Sequence, residues 1–183
     1  MLRGETVGLR AREAADVAVL HAELYEDVAE HCRSDSRPWV PIAATSEKSP
    51  YAPGEASDRA ICFSVVRLSD DALVGEALLW QLDPHNRMAH IGIALRPGLR
   101  GQGLGRDAVA VLCHYGFVVR GLNRLQIDTL ADNGAMITVA ERLGFRREAL
   151  LRRSAWVSGA FVDEVLLGLL ADEWQAGPAA SRQ

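Results

Sequence analysis

Arg100-Gly101-Gln102-Gly103-Leu104-Gly105-Arg106 is the stretch on which the reading of this chain turns. Three glycines alternate shortly after an apolar run, Met88 to Leu95, that reads as a strand. They directly precede Arg106 to Val119, where Ala108, Val111, Leu112, Tyr115 and Val119 fall on one helical face. Glycine takes up backbone dihedrals closed to other residues and lets a ligand approach the main chain. The first turn of a helix offers unpaired N–H groups and the positive end of the dipole. Together these predict an anion site suited to phosphate, with Arg96, Arg100 and Arg106 adding charge. A tight turn carrying surface arginines is the plainer alternative.

The order of residues narrows the phosphate. A Walker loop ends in Gly-Lys-Ser/Thr, whereas Gly105 is followed by Arg106 and Asp107. A dinucleotide fingerprint fits better: Gly103-x-Gly105-x-x-Ala108 matches G-x-G-x-x-A, and Asp128 follows at a strand end. Against it, Gly103 lies eight residues after Leu95, and too few elements follow Asp128 for a doubly wound sheet.

Outward from the glycine loop, the pattern gives one α+β domain over residues 1–174. Val7 to Arg10 reads as a strand, and Glu13 to His31 as a helix with Val17, Leu20, Leu24 and Val28 on its apolar stripe. Residues 33–59 hold four of the seven prolines and read as a long loop. Ala60 to Leu68, Ala72 to Leu82 and Met88 to Leu95 follow at hairpin spacing, an antiparallel meander. Past the glycine helix come a strand at Arg124 to Leu130 and a helix at Asn133 to Leu143 that stops at Gly144. A hairpin, Leu150 to Val157 and Phe161 to Leu169, turns on Ser158-Gly159. Residues 175–183 read as a disordered tail.

Totals exclude several classes. With 183 residues and 49% apolar content the chain can bury a core, so disorder is excluded. A net charge of −4 supplies no general field for nucleic acid. No apolar run reaches membrane-spanning length and the first residues show no signal-peptide core, so a cytoplasmic protein without membrane partner is expected. Cys32, Cys62 and Cys113 have no close pair, which argues against disulfides and metal binding; Cys62 and Cys113 read as buried thiols.

Arg100-x-x-Gly103-x-Gly105 resembles the pyrophosphate signature of the GNAT acetyltransferase superfamily. Asn133, followed by Val139-Ala140-Glu141-Arg142-Leu143-Gly144-Phe145, resembles its second signature, particularly in the RimJ/RimL-like branch. Leu9-Arg10 with Asp16, and Asp163 with Glu173-Trp174, look like that branch too. The resemblance implies a mixed, mostly antiparallel sheet flanked by helices and splayed at the cofactor strand. It implies acetyl-CoA as cosubstrate, a primary amine as acceptor (a protein N-terminus or a small molecule), and a homodimer as the family-level expectation. The rival is a catalytically inactive acyl-CoA-binding or sensing module.

Residue by residue, the resemblance assigns the pyrophosphate to Arg100, Gly101, Gln102, Gly103, Leu104, Gly105 and Arg106. It assigns the pantetheine arm to the preceding strand, with an N–H among Ile93, Ala94 and Leu95 polarising the thioester carbonyl. Gly92 is expected as a bulge. Asn133 is expected on the cofactor or a water beside it, or as a helix N-cap. Two familiar proton donors are missing, since Ala140 and Met136 stand where Tyr and Ser are common. Ala89-His90-Ile91-Gly92 resembles an Ala-Glu-Ile-Gly stretch, with His90 in place of the carboxylate. Histidine's ordinary titration range suits a general base, so His90 is the candidate, a structural histidine on a backbone carbonyl the alternative, and Glu76 the fallback. Glu23, Glu26, Asp27, Glu30 and Asp35 near the expected acceptor mouth predict a cationic amine, with a solvated helix face as the alternative. Trp39 and Tyr51 are expected to line the same mouth or a local core.

Overall fold

The computed structural model describes residues 1–35, 37–53, 57 and 59–175. One eight-stranded sheet runs in the order β1-β2-β3-β4-β5-β6-β8-β7. The strands are β1 (Leu2–Arg3), β2 (Val7–Arg10), β3 (Ala60–Arg67), β4 (Leu73–Asp83), β5 (Met88–Leu95), β6 (Arg124–Leu130), β7 (Arg146–Val157) and β8 (Ala160–Leu170). The helices are α1 (Ala14–Leu24), α2 (Val28–Ser34), α3 (Leu104–His114) and α4 (Gly134–Arg142). All strand pairs are antiparallel except β5 with β6, which α3 connects as a crossover. This is the expected α+β class, and the β3-β4-β5 meander stands within a residue of its expected bounds. No helix among the described residues is long and apolar enough to cross a membrane.

Alternation along β5 sends Ala89 and Ile91, with the half-buried Ile93 and Leu95, into the main core. There they meet Leu104, Ala108, Val111 and Leu112 of α3 and Ile137 and Ala140 of α4. On the opposite face Ala94 packs with a smaller cluster, Val17, Leu20, Leu24, Tyr25 and Tyr51, with Trp39 beside it. His90 and Gly92 share that second face by the same alternation.

Several expectations are corrected. The single helix Glu13–His31 is two, because Asp27 accepts from the N–H groups of Ala29 and Glu30 and so starts α2 afresh. The glycine helix begins at Leu104 rather than Arg106, and after His114 it finishes as a π-helical turn, Tyr115–Val119. Gly92 is not a bulge: it stays in register opposite Leu78, and a Cβ there would lie 2.7 Å from Leu78 Cδ2. Cys62 is exposed, while Cys113 is buried. β7 starts at Arg146, four residues before its expected bound. The hairpin turns where expected, with positive φ at both Ser158 and Gly159. Residues 176–183 of the expected tail, and 36, 54–56 and 58 of the long loop, lie outside the described residues.

The sheet opens at one place. β5 and β6 pair only through Met88↔Arg124, Ala89↔Leu125 and His90↔Gln126. Beyond that point β5 stays with β4 as far as Leu95↔Gly75, and β6 stays with β8 as far as Leu130↔Glu164. The two strands therefore part into a V whose vertex is the His90–Gln126 pair.

Candidate active site

The free edge of β5 is defined by its ladder with β4. The Arg96 N–H donates to Val74 O at 2.9 Å, so by antiparallel alternation Ala94 spends its backbone on Glu76. Ile93 and Leu95 turn their N–H and C=O the other way, into the V. Arg100 Nε donates to Leu95 O at 3.0 Å, which agrees with that direction. Of the three expected residues, Ile93 and Leu95 thus offer main-chain groups to the V and Ala94 does not.

The glycine loop continues from this edge. Gly101 and Gly103 have φ of 76° and 80°, and a Cβ on either would meet nothing within 4 Å. The N–H groups of Arg106 and Asp107 both donate to Gly103 O. Those of Gly101, Gln102, Gly103, Leu104 and Gly105 have no protein acceptor among the described residues. Five amides at a helix start, with open space before two of the glycines, are a cradle for an anion. Gly105 packs closely on β5, since a Cβ there would sit 3.3 Å from Leu95 Cδ1.

The charge around the cradle differs from expectation. Arg96 is committed to Glu23 at 2.5 Å and to Leu73 O, and Arg100 to Glu30 at 2.7 Å. Only Arg106, exposed and with no partner among the described residues, remains available to a ligand as it stands. A clamp that sequence reasoning missed holds the start of α3. Asp107 accepts from the N–H groups of Glu5 (3.1 Å), Thr6 (2.7 Å) and Val7 (2.9 Å) and from Thr6 Oγ1 (3.0 Å).

α2 spans the open V. Glu30 pairs with Arg100 on the β5 side, and Arg33 pairs with Asp132 at 2.7 Å on the β6–α4 side. The acidic segment is also largely neutralised within the protein. Glu23, Glu30 and Asp35 pair with Arg96, Arg100 and Arg37, Asp27 caps α2, and Glu26 lies 3.4 Å from His21 Nδ1. The acidic mouth read from the sequence is therefore largely neutralised by neighbouring side chains.

At the vertex, His90 is buried, with its ring centroid 4.7 Å from that of Trp80. Its Nδ1 lies 2.5 Å from Asp128 Oδ2. Gln126 Nε2 donates to the other Asp128 oxygen at 3.2 Å. No protein group among the described residues bonds Nε2. His90 also lines a groove of about 510 Å³ with Arg59, Gln81, Leu82, Asp83, Pro84 and Met88. The alternative of a histidine bonded to a backbone carbonyl is not what the structure contains.

Glu76 stands elsewhere. It sits opposite Ala94, four residues along β5 from His90, roughly 13 Å away at the rise of a strand. Its carboxylate pairs with the buried Arg12 at 2.7 Å, and Arg12 lies 5.6 Å from the centroid of the Tyr51 ring. Burial pushes the Glu76 carboxyl up and Arg12 pulls against it, the net direction being up. His90 and Glu76 are thus separate sites rather than one pair. Trp39 and Tyr51 pack into the second core, Trp39 Nε1 donating to Tyr25 O.

Asn133 caps α4, its Oδ1 accepting from Met136 N–H at 3.2 Å and its Nδ2 donating to Thr129 Oγ1 at 3.0 Å. Ala140 is fully buried and Met136 half-buried, and neither a methyl group nor a thioether carries a proton to donate.

Comparison with known proteins agrees with this architecture. The Bacillus subtilis protein YdaF, named as a ribosomal N-acetyltransferase, is 35% identical over 59% of this chain. The chain spans about six-tenths of the curated relatives' own length, 63% and 59%. A crystallised acetyltransferase superposes with a TM-score of 0.81 at 27% identity, covering 93% of this chain and 96% of that one. Mycobacterium smegmatis RimJ, in complex with CoA-disulfide, superposes with a TM-score of 0.72 at 25% identity, covering 96% and 87%. The family model for an acetyltransferase (GNAT) domain matches residues 6–146, and with the V-shaped opening and the glycine cradle in place the chain belongs to the GNAT family.

Proposed function

We propose that the protein moves the acetyl group of acetyl-CoA to a primary amine. The observation that carries this reading is the continuity of three features. Five unpartnered amides at the start of α3 run into the free edge of β5, and that edge leads to His90 at the vertex. The amides of residues 101–105, with Arg106, hold the pyrophosphate; Ile93 and Leu95 hold the pantetheine arm through their main chain. Asn133, already a cap, keeps one N–H of its amide for the cofactor side.

Acetyl-CoA supplies the activated acyl group as a thioester. The chain's own part is to align an amine with that carbonyl, to polarise the carbonyl with a main-chain N–H of Ile93 or Leu95, and to take up a proton. His90 Nε2 is the proton acceptor. Glu76, tied to Arg12, shapes the acceptor face from the far end. With Ala140 and Met136 in the usual donor positions, water protonates the departing thiolate, a tolerable leaving group given a thiol pKa of roughly 8.5.

The acceptor we favour is a peptide or protein N-terminus. The carboxylates near the mouth are spent on arginines, leaving no trap for a polycation, and the relative YdaF is named for ribosomal acetylation. The test is thiol release from acetyl-CoA with N-terminal peptides of ribosomal proteins and, in parallel, with polyamines and simple amines. Turnover highest with peptides is expected. Tight CoA binding without thiol release on any amine would leave the chain an acyl-CoA-binding module instead.

A further inference from the structure

We infer that Asp128 is the positioning residue for His90, fixing the imidazole tautomer that leaves Nε2 free to accept a proton. This rests on the reading of His90 as the base.

An ionised carboxylate only accepts hydrogen bonds, so at 2.5 Å from Asp128 Oδ2 the His90 Nδ1 carries the hydrogen. The lone pair is then on Nε2, and the same bond sets the plane of the ring. Asp128 is itself held. Arg124, Gln126 and Asp128 alternate along β6 and so share a face. Arg124 Nη2 donates to Gln126 Oε1 at 3.1 Å, Gln126 Nε2 donates to Asp128 Oδ1 at 3.2 Å, and Asp128 ends the series on the imidazole. Glu148 on β7 anchors Arg124 from the other side.

Register explains why the contact exists. Gln126 is the last β6 residue paired with β5, and it lies opposite His90. Asp128 is the next residue of that face, at the mouth of the V, and reaches back to the ring across the widening gap. Trp80 on β4 closes the opposite flank. The charged groups facing His90 are Asp128 from β6, with Arg124 behind it through Gln126, and Arg59 and Asp83 from the groove.

In the reaction the C–N bond forms as the C–S bond breaks, and the sulfur leaves with the electron pair. The proton lost by the amine nitrogen passes to His90 Nε2. The Nδ1 hydrogen stays on the imidazole, hydrogen-bonded to Asp128, and the Nε2 proton then goes to water.

The experiment compares Asp128→Asn, Asp128→Glu and His90→Ala with the parent protein. An Asn amide can donate to Nδ1 and so moves the ring hydrogen to Nε2. Nitrogen NMR of the imidazole in the free protein should show Nδ1–H in the parent and Nε2–H in Asp128→Asn. Turnover should fall roughly 100-fold in Asp128→Asn and in His90→Ala, with partial recovery at high pH where the amine is already deprotonated. CoA affinity, measured by calorimetry, should be unchanged in all three, showing a folded cleft, and Asp128→Glu should regain part of kcat. Two results overturn the proposal in distinguishable ways. If His90→Ala leaves turnover intact, the base reading fails and the positioning role with it. If His90→Ala collapses turnover while Asp128→Asn keeps both parental kcat and Nδ1–H, the base reading stands and Asp128 has no positioning role.

Discussion

Replacing Gly103 separates two costs that usually come together, backbone strain and obstruction of a ligand. Gly103 has φ 80° and ψ −10°, and a Cβ there would meet nothing within 4 Å. In the free protein the cost of Gly103→Ala is therefore conformational alone, about 1–2 kcal/mol for a left-handed L-residue. For a chain of 183 residues that lowers Tm by roughly 2–8 °C. Gly103→Asn should cost less, because Asn tolerates this region. Gly98, equally open but without a positive φ, is the control, and Gly98→Ala should be neutral or stabilising by up to about 1 kcal/mol. CoA binding should follow a different order. A side chain in the cradle blocks at least two charge-assisted amide bonds, each worth about 1.5–3 kcal/mol. Affinity should therefore drop more than about 100-fold in both Gly103 variants and stay unchanged in Gly98→Ala. Differential scanning calorimetry and titration calorimetry give the two readouts on the same samples. A folded Gly103→Asn protein that binds CoA with parental affinity would refute the assignment of the cradle.

Two further outcomes follow from the charges. Asp16 is buried, and burial by itself would raise its pKa. The two-pronged contact from Arg10 (2.7 and 2.8 Å), with bonds from Glu13 N–H and Ser64 Oγ, instead lowers it from 3.8 to about 2. A carboxyl depressed in the folded state stabilises fully above its unfolded pKa and loses that contribution as pH falls through the folded one. Urea unfolding should therefore show about 2 kcal/mol disappearing between about pH 4 and 2, and Asp16→Asn should lack that dependence. Glu30→Gln releases Arg100 from its partner beside the cradle, so CoA should bind several-fold tighter at low salt, within the ~1 kcal/mol of an exposed pair, and calorimetry at rising salt should show the gain fading.

What was legible in the sequence had local causes. Alternation made β5 plain, and three glycines between a strand and a helix marked the loop that opens α3. The turn at Ser158-Gly159 followed from residues that tolerate positive φ. The break at Asp27 was written in a capping residue but was overridden by an apolar stripe that runs on through Val28. β7 began unseen at Arg146 because its first residues are all exposed, so no alternation marks them. Contacts distant in sequence left no trace. Asp128 could be read only as a residue of the right type at the right distance for a ribose, whereas its partner is His90, 38 positions away. The acidic segment looked like an open mouth because composition counts charges without showing the arginines that neutralise them.

The clamp at Asp107 ties the start of α3 to the history of the chain. Its partners, residues 5 to 7, are separated from it by 100 to 102 positions, so the cradle is finished only when the first strands and the middle of the chain have met. Closure of so long a loop costs entropy that no local contact returns, and contacts of this span slow folding. During synthesis the glycine loop and α3 can form while their fourfold anchor is still unmade. The proposed anion cradle is therefore a property of the assembled sheet rather than of the motif alone.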